Sequence, residues 1–195
     1  MNFRDQIAAF IPANPQERRD QAVILDYIGS FPDDVLLRDN PFAHVTSSGF
    51  VMNRDLDRVL LVHHNLRGVW SWTGGHADGD SDLLRVALKE ATEETGVHDL
   101  TPLSPKIASL DILPVYGHLR QGEYVNAHLH LSVAYILIGG AMEPLTVNEA
   151  ENSAVAWFGL DRFTGDHFDA HDVYLYNKLI QRAKQIGRGG ERAMI

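Results

Sequence analysis

Apolar positions at the start of the chain recur at helical spacing. Phe3, Ile7, Phe10 and Ile11 predict a short opening helix. Asn14-Pro15-Gln16-Glu17 reads as the start of a second one. Asn is a good N-cap, Pro suits the first turn, and Glu three residues on completes a capping-box-like pair. That helix runs to about Gly29, with Val23, Ile24, Tyr27 and Ile28 among its apolar contacts, and Phe31-Pro32-Asp33-Asp34 breaks it. From Ala43 the pattern becomes β-prone, with strands over 44–53 and 58–63 joined by the turn Arg54-Asp55-Leu56-Asp57. A third extended piece over 69–73 leads into Gly74-Gly75. Leu84, Ala87, Leu88 and Ala91 then mark a helix over 82–95, closed by Gly96 as a residue able to take positive φ. An extended segment over 107–115, a polar loop over 117–123, a long strand over 124–138, a short strand over 154–158 and a last helix over 173–186 complete the expectation.

Strands and helices in mixed order predict an α/β or α+β sandwich. The chain divides into an N-terminal helical extension (1–40), a main domain (41–187) and a glycine-rich flexible tail (188–195). At 195 residues, one domain with an extension is the natural reading.

Charge narrows the function. Lys and Arg number 17 against 26 Asp and Glu, a formal charge of −9. Such a chain is poorly suited to hold a nucleic-acid backbone unaided, and an anionic substrate calls for a cation as intermediary. There is no cysteine, which excludes disulfides, Cys-ligated zinc and thiol nucleophiles. The longest uncharged apolar stretch, 133–142, is too short to span a bilayer, and the N-terminus lacks the positive charge of a signal peptide. The expectation is a cytoplasmic protein without membrane attachment.

Glu90, Glu93 and Glu94 share one face of the predicted helix beside its apolar stripe. Like charges at i,i+4 destabilise a helix by about 0.2–0.5 kcal/mol per pair. Glu93 and Glu94 also lie in the last turn, where the helix dipole disfavours negative charge by about 0.3–1 kcal/mol each. A divalent cation would reverse the balance, and oxygen-only ligands suit Mg²⁺ or Mn²⁺.

The stretch Gly75-His76-Ala77-Asp78-Gly79-Asp80-Ser81, continued by Lys89-Glu90-Ala91-Thr92-Glu93-Glu94-Thr95-Gly96-Val97, resembles the Nudix box. Gly75, Glu90, Glu93, Glu94, Gly96 and Val97 match it, and Ala91 stands at an aliphatic position. Ser81 departs where the family has Glu, and Lys89 where it has Arg. The resemblance implies a Nudix-type α/β/α sandwich with a mixed sheet. It also implies metal-dependent hydrolysis of a diphosphate linkage in a nucleoside-diphosphate derivative, by water attack on phosphorus. Carried over by position, Glu90, Glu93 and Glu94 are metal ligands, with the carbonyl of Gly74 as a further candidate. Lys89 supplies the charge of the family Arg without its planar fork. Ser81 is a candidate N-cap. One of Asp78, Asp80 and Asp82 is a candidate for the missing carboxylate. The general base is expected outside the box. Glu151 is preferred over Glu149, as base or metal ligand, against the alternative of an ordinary exposed loop acid. Many family members dimerise, and the N-terminal helices are the face available for a homodimer.

Among other residues, His76 lies in the box loop and is a candidate substrate contact. His128 and His130 share one strand face and are candidates to touch phosphate or metal, with a half-buried polar face as the plainer reading. His130 is retained as a substrate contact. Trp70, Trp72, Tyr116 and Trp157 are candidates to stack on a base, Trp72 and Tyr116 foremost. An EF-hand reading of the Asp-x-Asp-x-Asp run fails, because Leu83 and Lys89 stand where Gly and Glu are needed. The isopentenyl-diphosphate isomerases, similar in fold, use a cysteine that this chain lacks, and RNA decapping is disfavoured by the negative charge. The competing function is a nucleotide-sensing module with little or no turnover, which the Ser81 and Lys89 departures suit.

Overall fold

The computed structural model describes residues 2–120 and 122–192. Two helices open the chain, α1 (Phe3–Ala8) and α2 (Pro15–Ser30). Asn14 caps α2 as its sequence suggests: its side chain accepts from the Glu17 N–H at 2.8 Å, and the Glu17 carboxylate reaches back to the Ala13 N–H at 2.7 Å.

The centre of the molecule is strand β1 (Ala43–Asn53), buried along its whole length. Its neighbours are β2 (Arg58–His64) and β4 (Thr73–His76), both antiparallel, and the long β9 (His128–Gly139), parallel to it. β3 (Val69–Ser71) pairs with β2, as does β10 (Asn152–Gly159), while β5 (Thr101–Pro102) and β6 (Ser109–Val115) pair with β9. The result is a mixed eight-stranded sheet.

Alternation along β1 and β9 builds two cores. Val45, Val51, Leu131, Val133, Tyr135 and Leu137 face one cluster, joined by Ile7, Ile24 and Ile28 of α1 and α2 and by Leu83, Ala87 and Ala91 of α3 (Leu83–Thr95). Phe50, Met52, Ala134 and Ile136 face the other, covered by Tyr176, Leu179, Ile180 and Ala183 of α4 (Ala170–Arg192). This is the expected α/β/α sandwich, and the strand buried on both faces reads as near-continuous burial rather than alternation.

Three expectations are corrected. The polar loop over 117–123 contains β7 (His118–Arg120), which pairs with β8 (Glu123–Val125) as a small separate hairpin. The single strand over 124–138 is broken between β8 and β9. The Asn126 side chain donates to the Pro41 and Ala127 carbonyls at 2.7 and 3.0 Å, turning the chain there. The last helix does not stop near Ile186 but continues to Arg192, since no proline follows and glycine only weakens a helix. The expected flexible tail is therefore helical over 188–192, and 193–195 lie outside the described residues. Among the described residues no helix is long and apolar enough to cross a membrane.

The N-terminal helices are tied to the sheet by buried charge. Lys178 of α4 donates to Gln16 at 2.9 Å and pairs with Asp111 of β6 and Glu17 of α2. Arg182 pairs with the second Glu17 oxygen at 3.0 Å. Asp20 accepts from the Ile112 N–H at 3.1 Å, and Gln16 donates to the Leu110 carbonyl at 3.2 Å, so α2 occupies backbone groups along the free edge of β6. Removing Lys178 leaves the buried Asp111 without its cation, while Glu17 keeps Arg182. Lys178→Ala should lower unfolding free energy by about 3–5 kcal/mol in urea titrations. Arg54→Ala, which breaks the exposed Arg54–Asp99 pair, should change it by less than about 1 kcal/mol.

Candidate active site

Helix α3 carries the acidic cluster. Its start is capped by Asp82, whose side chain accepts from the Arg85 N–H at 3.1 Å. Ser81, the expected cap, lies one residue too early. The Asp82 side chain thus holds the first turn and Arg85 sits beside it, pairing with Asp80 at 2.6 Å. Asp78 is engaged in a fork with Arg38, both bonds 2.7 Å. Each acid considered as a substitute carboxylate therefore has its own local partner. The helix ends on Gly96, whose φ of 74° is the left-handed geometry the sequence anticipates.

Strand β4 brings backbone against these acids. The Gly74 N–H donates to a Glu94 carboxylate oxygen at 3.2 Å. Gly75 lies so close to the Glu90 carboxylate that a Cβ built there would overlap it. Only glycine permits this approach.

The three glutamates occupy different environments. Glu94 is buried, 5% exposed, and burial pushes its carboxyl up to about 8 against the Gly74 hydrogen bond, with Glu151 and Glu90 adding to the rise. Glu90 is half-buried and also raised, chiefly by burial, with Lys89 opposing and Glu93 and Glu151 reinforcing. Glu93 is exposed. Lys89 lies 3.1 Å from Glu90 and 3.4 Å from Glu93, and its ammonium is stabilised by the Glu90 hydrogen bond first. Among the described residues, no Lys or Arg pairs with Glu94.

A loop residue and the first residue of β10 join the cluster. Glu151 is exposed, but its charge acts on both Glu90 and Glu94. Its backbone is fixed by the Asn65 N–H, which donates to the Glu151 carbonyl at 2.9 Å. Asn152, 1% exposed, lies close enough to favour ionised Glu94, yet neither end of its amide completes a hydrogen bond. Asn152 was not legible as a site residue, because its burial depends on β10 pairing with β2. The same holds for Arg38, which feels Glu90 and Glu151 from a loop without periodic pattern.

These observations bear on a divalent cation. All donors are oxygens, the acids outnumber their one nearby lysine, and the buried amide of Asn152 is left unpartnered beside Glu94. Glu90, Glu93 and Glu94 fit a hard cation on these grounds.

The remaining candidates separate. Trp72 packs edge-on against Tyr176 at 5.2 Å and near Phe50 at 6.4 Å, inside the α4-side core. Trp70 stacks edge-on with Phe158 at 4.8 Å. Tyr116, by contrast, is 82% exposed just before the β7–β8 hairpin. His76 and His130 leave the carboxylates and meet His44 and His128 in a second cluster. Burial pushes His76 down to about 3 and His130 down to about 2, with neighbouring charges adding to it, so neither is a cationic phosphate clamp at neutral pH.

The architecture has known relatives. A crystal structure of a NUDIX-family hydrolase from Clostridium perfringens is 18% identical and aligns over 71% of this chain and 96% of that one, with a TM-score of 0.50. A crystal structure of a C. elegans Ap4A hydrolase binary complex is 14% identical, covering 74% of this chain and 98% of that one, also at 0.50. At these identities the likeness is one of fold. A comparison with curated protein sequences gives no match. The family model for the NUDIX domain matches residues 43–177, from the first residue of β1 into α4. A match over that much of the chain, on a sheet and helix built as described, places the protein in the Nudix family of pyrophosphohydrolases.

Proposed function

We propose that the protein hydrolyses a diphosphate linkage in a nucleoside-diphosphate derivative, with Glu90, Glu93 and Glu94 holding Mg²⁺ or Mn²⁺. The observation that carries this reading is Glu94: a nearly fully buried carboxyl group, pressed by two other acids and paired with no Lys or Arg among the described residues. Bound there, the cation would neutralise phosphate charge and lower the pKa of the attacking water.

The chain's own groups have separable parts. The Gly74 N–H orients Glu94, and the absence of a side chain at Gly75 lets Glu90 stand against β4. Lys89 holds Glu90 and Glu93 together by single contacts. Glu151, on a loop whose backbone is pinned by Asn65, is assigned as the base that takes the proton of the attacking water. Tyr116 is the exposed aromatic assigned to stack on a base. No protein nucleophile is needed, in keeping with a chain without cysteine.

The Lys89 ammonium lying between two of the three acids favours a second reading, a nucleotide-sensing module that binds with little turnover. A panel of ADP-ribose, dinucleoside polyphosphates, NADH, nucleotide sugars and nucleoside triphosphates, assayed with Mg²⁺ for phosphorylated products, separates the two. Turnover of at least one member supports hydrolysis. Saturable binding with no product on any member supports the sensor.

On the substrate the panel identifies, Glu94→Gln should reduce kcat by about 1,000-fold or more. Its unfolding midpoint should be no lower than that of the wild type near pH 7, since Gln can still accept from Gly74 and is uncharged, like the mostly protonated Glu94 carboxyl. Gly75→Ala should lower kcat/KM by about 100-fold, because the new methyl displaces the Glu90 carboxylate. Glu151→Gln should lower kcat by about 100-fold or more with KM little changed, and equal kcat in mutant and wild type would remove the base assignment.

A further inference from the structure

Three adjacent strands present four histidines on one face of the sheet. His44 of β1 is the register partner of His130 of β9, and His128 lies two residues before His130. His76 ends β4 opposite Thr46, itself two residues after His44. Side chains two apart, or directly opposite, share a face. The rings meet there, with centroids 5.0 Å apart for His44–His76, 4.8 Å for His44–His128 and 4.9 Å for His76–His130. One ring nitrogen from each of the four lies within 4.8 Å of all the others.

Hydrogen bonds at the rear of two rings set which nitrogen carries the proton. His44 Nδ1 lies 3.3 Å from the Asn40 carbonyl, and His128 Nδ1 lies 2.9 Å from the Asn126 carbonyl. A carbonyl only accepts, so each Nδ1 donates and each neutral ring keeps its lone pair on Nε2. His44 is 4% exposed, and its Nε2 is buried without a hydrogen-bond partner. A buried acceptor left unpaired is unfavourable and calls for an occupant. His128 Nε2 lies 3.3 Å from His130 Nε2. Without an ion this is a hydrogen bond between the two rings; it already stands near the roughly 3.3–3.4 Å nitrogen–nitrogen edge of tetrahedral zinc, toward which the other pairs, all within 4.8 Å, would close. The backbone carbonyls behind the His44 and His128 rings are the outer support that metal-binding imidazoles ordinarily have.

We propose that His44, His76, His128 and His130 form a binding site for a borderline transition-metal cation, Zn²⁺, distinct from the carboxylates of α3. Four imidazoles with no carboxylate among them select against Mg²⁺, which prefers oxygen, and toward Zn²⁺. The site would tie β4 and β9 to β1. It would steady β4, in which the two residues before His76, Gly74 and Gly75, contact Glu94 and Glu90. It does not depend on the proposed hydrolysis, and its test involves no substrate.

The experiment uses full-length protein carrying Glu90→Gln and Glu94→Gln, so that the carboxylates take up no ion. The protein is stripped with chelator and titrated with Zn²⁺ by calorimetry, and in parallel with Co²⁺ by visible absorption. The expected result is one equivalent of Zn²⁺ bound more tightly than about 1 μM, and the intense bands of tetrahedral Co²⁺. Zn²⁺ should raise the unfolding midpoint, and Mg²⁺ should not. His44→Ala or His130→Ala should weaken Zn²⁺ binding by at least about 100-fold, whereas His118→Ala, outside the group, should leave it unchanged. Should the buried His44 variant fail to fold by circular dichroism, the half-buried His128→Ala provides the same readout. No Zn²⁺ uptake, or uptake of equal strength in the His128 and His130 variants, would overturn the proposal as adventitious binding only.

Discussion

Strand β1 is paired on both sides and buried on both faces, so nothing attached to it can shift alone. Its antiparallel ladder with β4 sets where the backbone of Gly74 and Gly75 meets the acids of α3. Its parallel ladder with β9 sets which residues stand beside His44. A slip of one residue in either ladder would send every side chain to the opposite face. It would exchange the two cores and scatter both clusters. Position in this molecule is decided by that pairing, and chemistry follows from it.

The protein handles buried charge in two opposite ways. Glu17 and Asp111 are fully compensated by Lys178 and Arg182, and they hold α2, β6 and α4 together. Glu94 is buried almost as deeply, yet has only the Gly74 N–H and the nearby Asn152 amide to set against the repulsion of Glu151 and Glu90. The first arrangement is complete within the chain. The second has no Lys or Arg paired to Glu94 among the described residues, and it is this imbalance that the proposed cation would offset.

The two departures from the Nudix pattern have structural counterparts. Where the family pattern has Glu, Ser81 lies within a loop in which Asp78, Asp80 and Asp82 are engaged with Arg38, Arg85 and the helix start. The loop thus has its own internal ties. Lys89 touches both Glu90 and Glu93, one contact to each, so the bridging charge is present while the planar fork of an arginine is not.

The sequence by itself determined the elements that local spacing encodes. The caps at Asn14 and Gly96, the apolar stripe of α3 and the acids beside it follow from a 3.6-residue period and from side chains that reach only their own turn. It also made the family resemblance legible, because the box is a contiguous segment. Only the tertiary structure decided that Glu94 is buried while Glu93 is exposed, that Asn152 closes on the acids, and that Trp72 belongs to the core. It alone brought His44 and His76 to His128 and His130. Those relations depend on strand registers between segments far apart in the chain, and a pairing register is settled by the packing of both faces at once rather than by any local pattern.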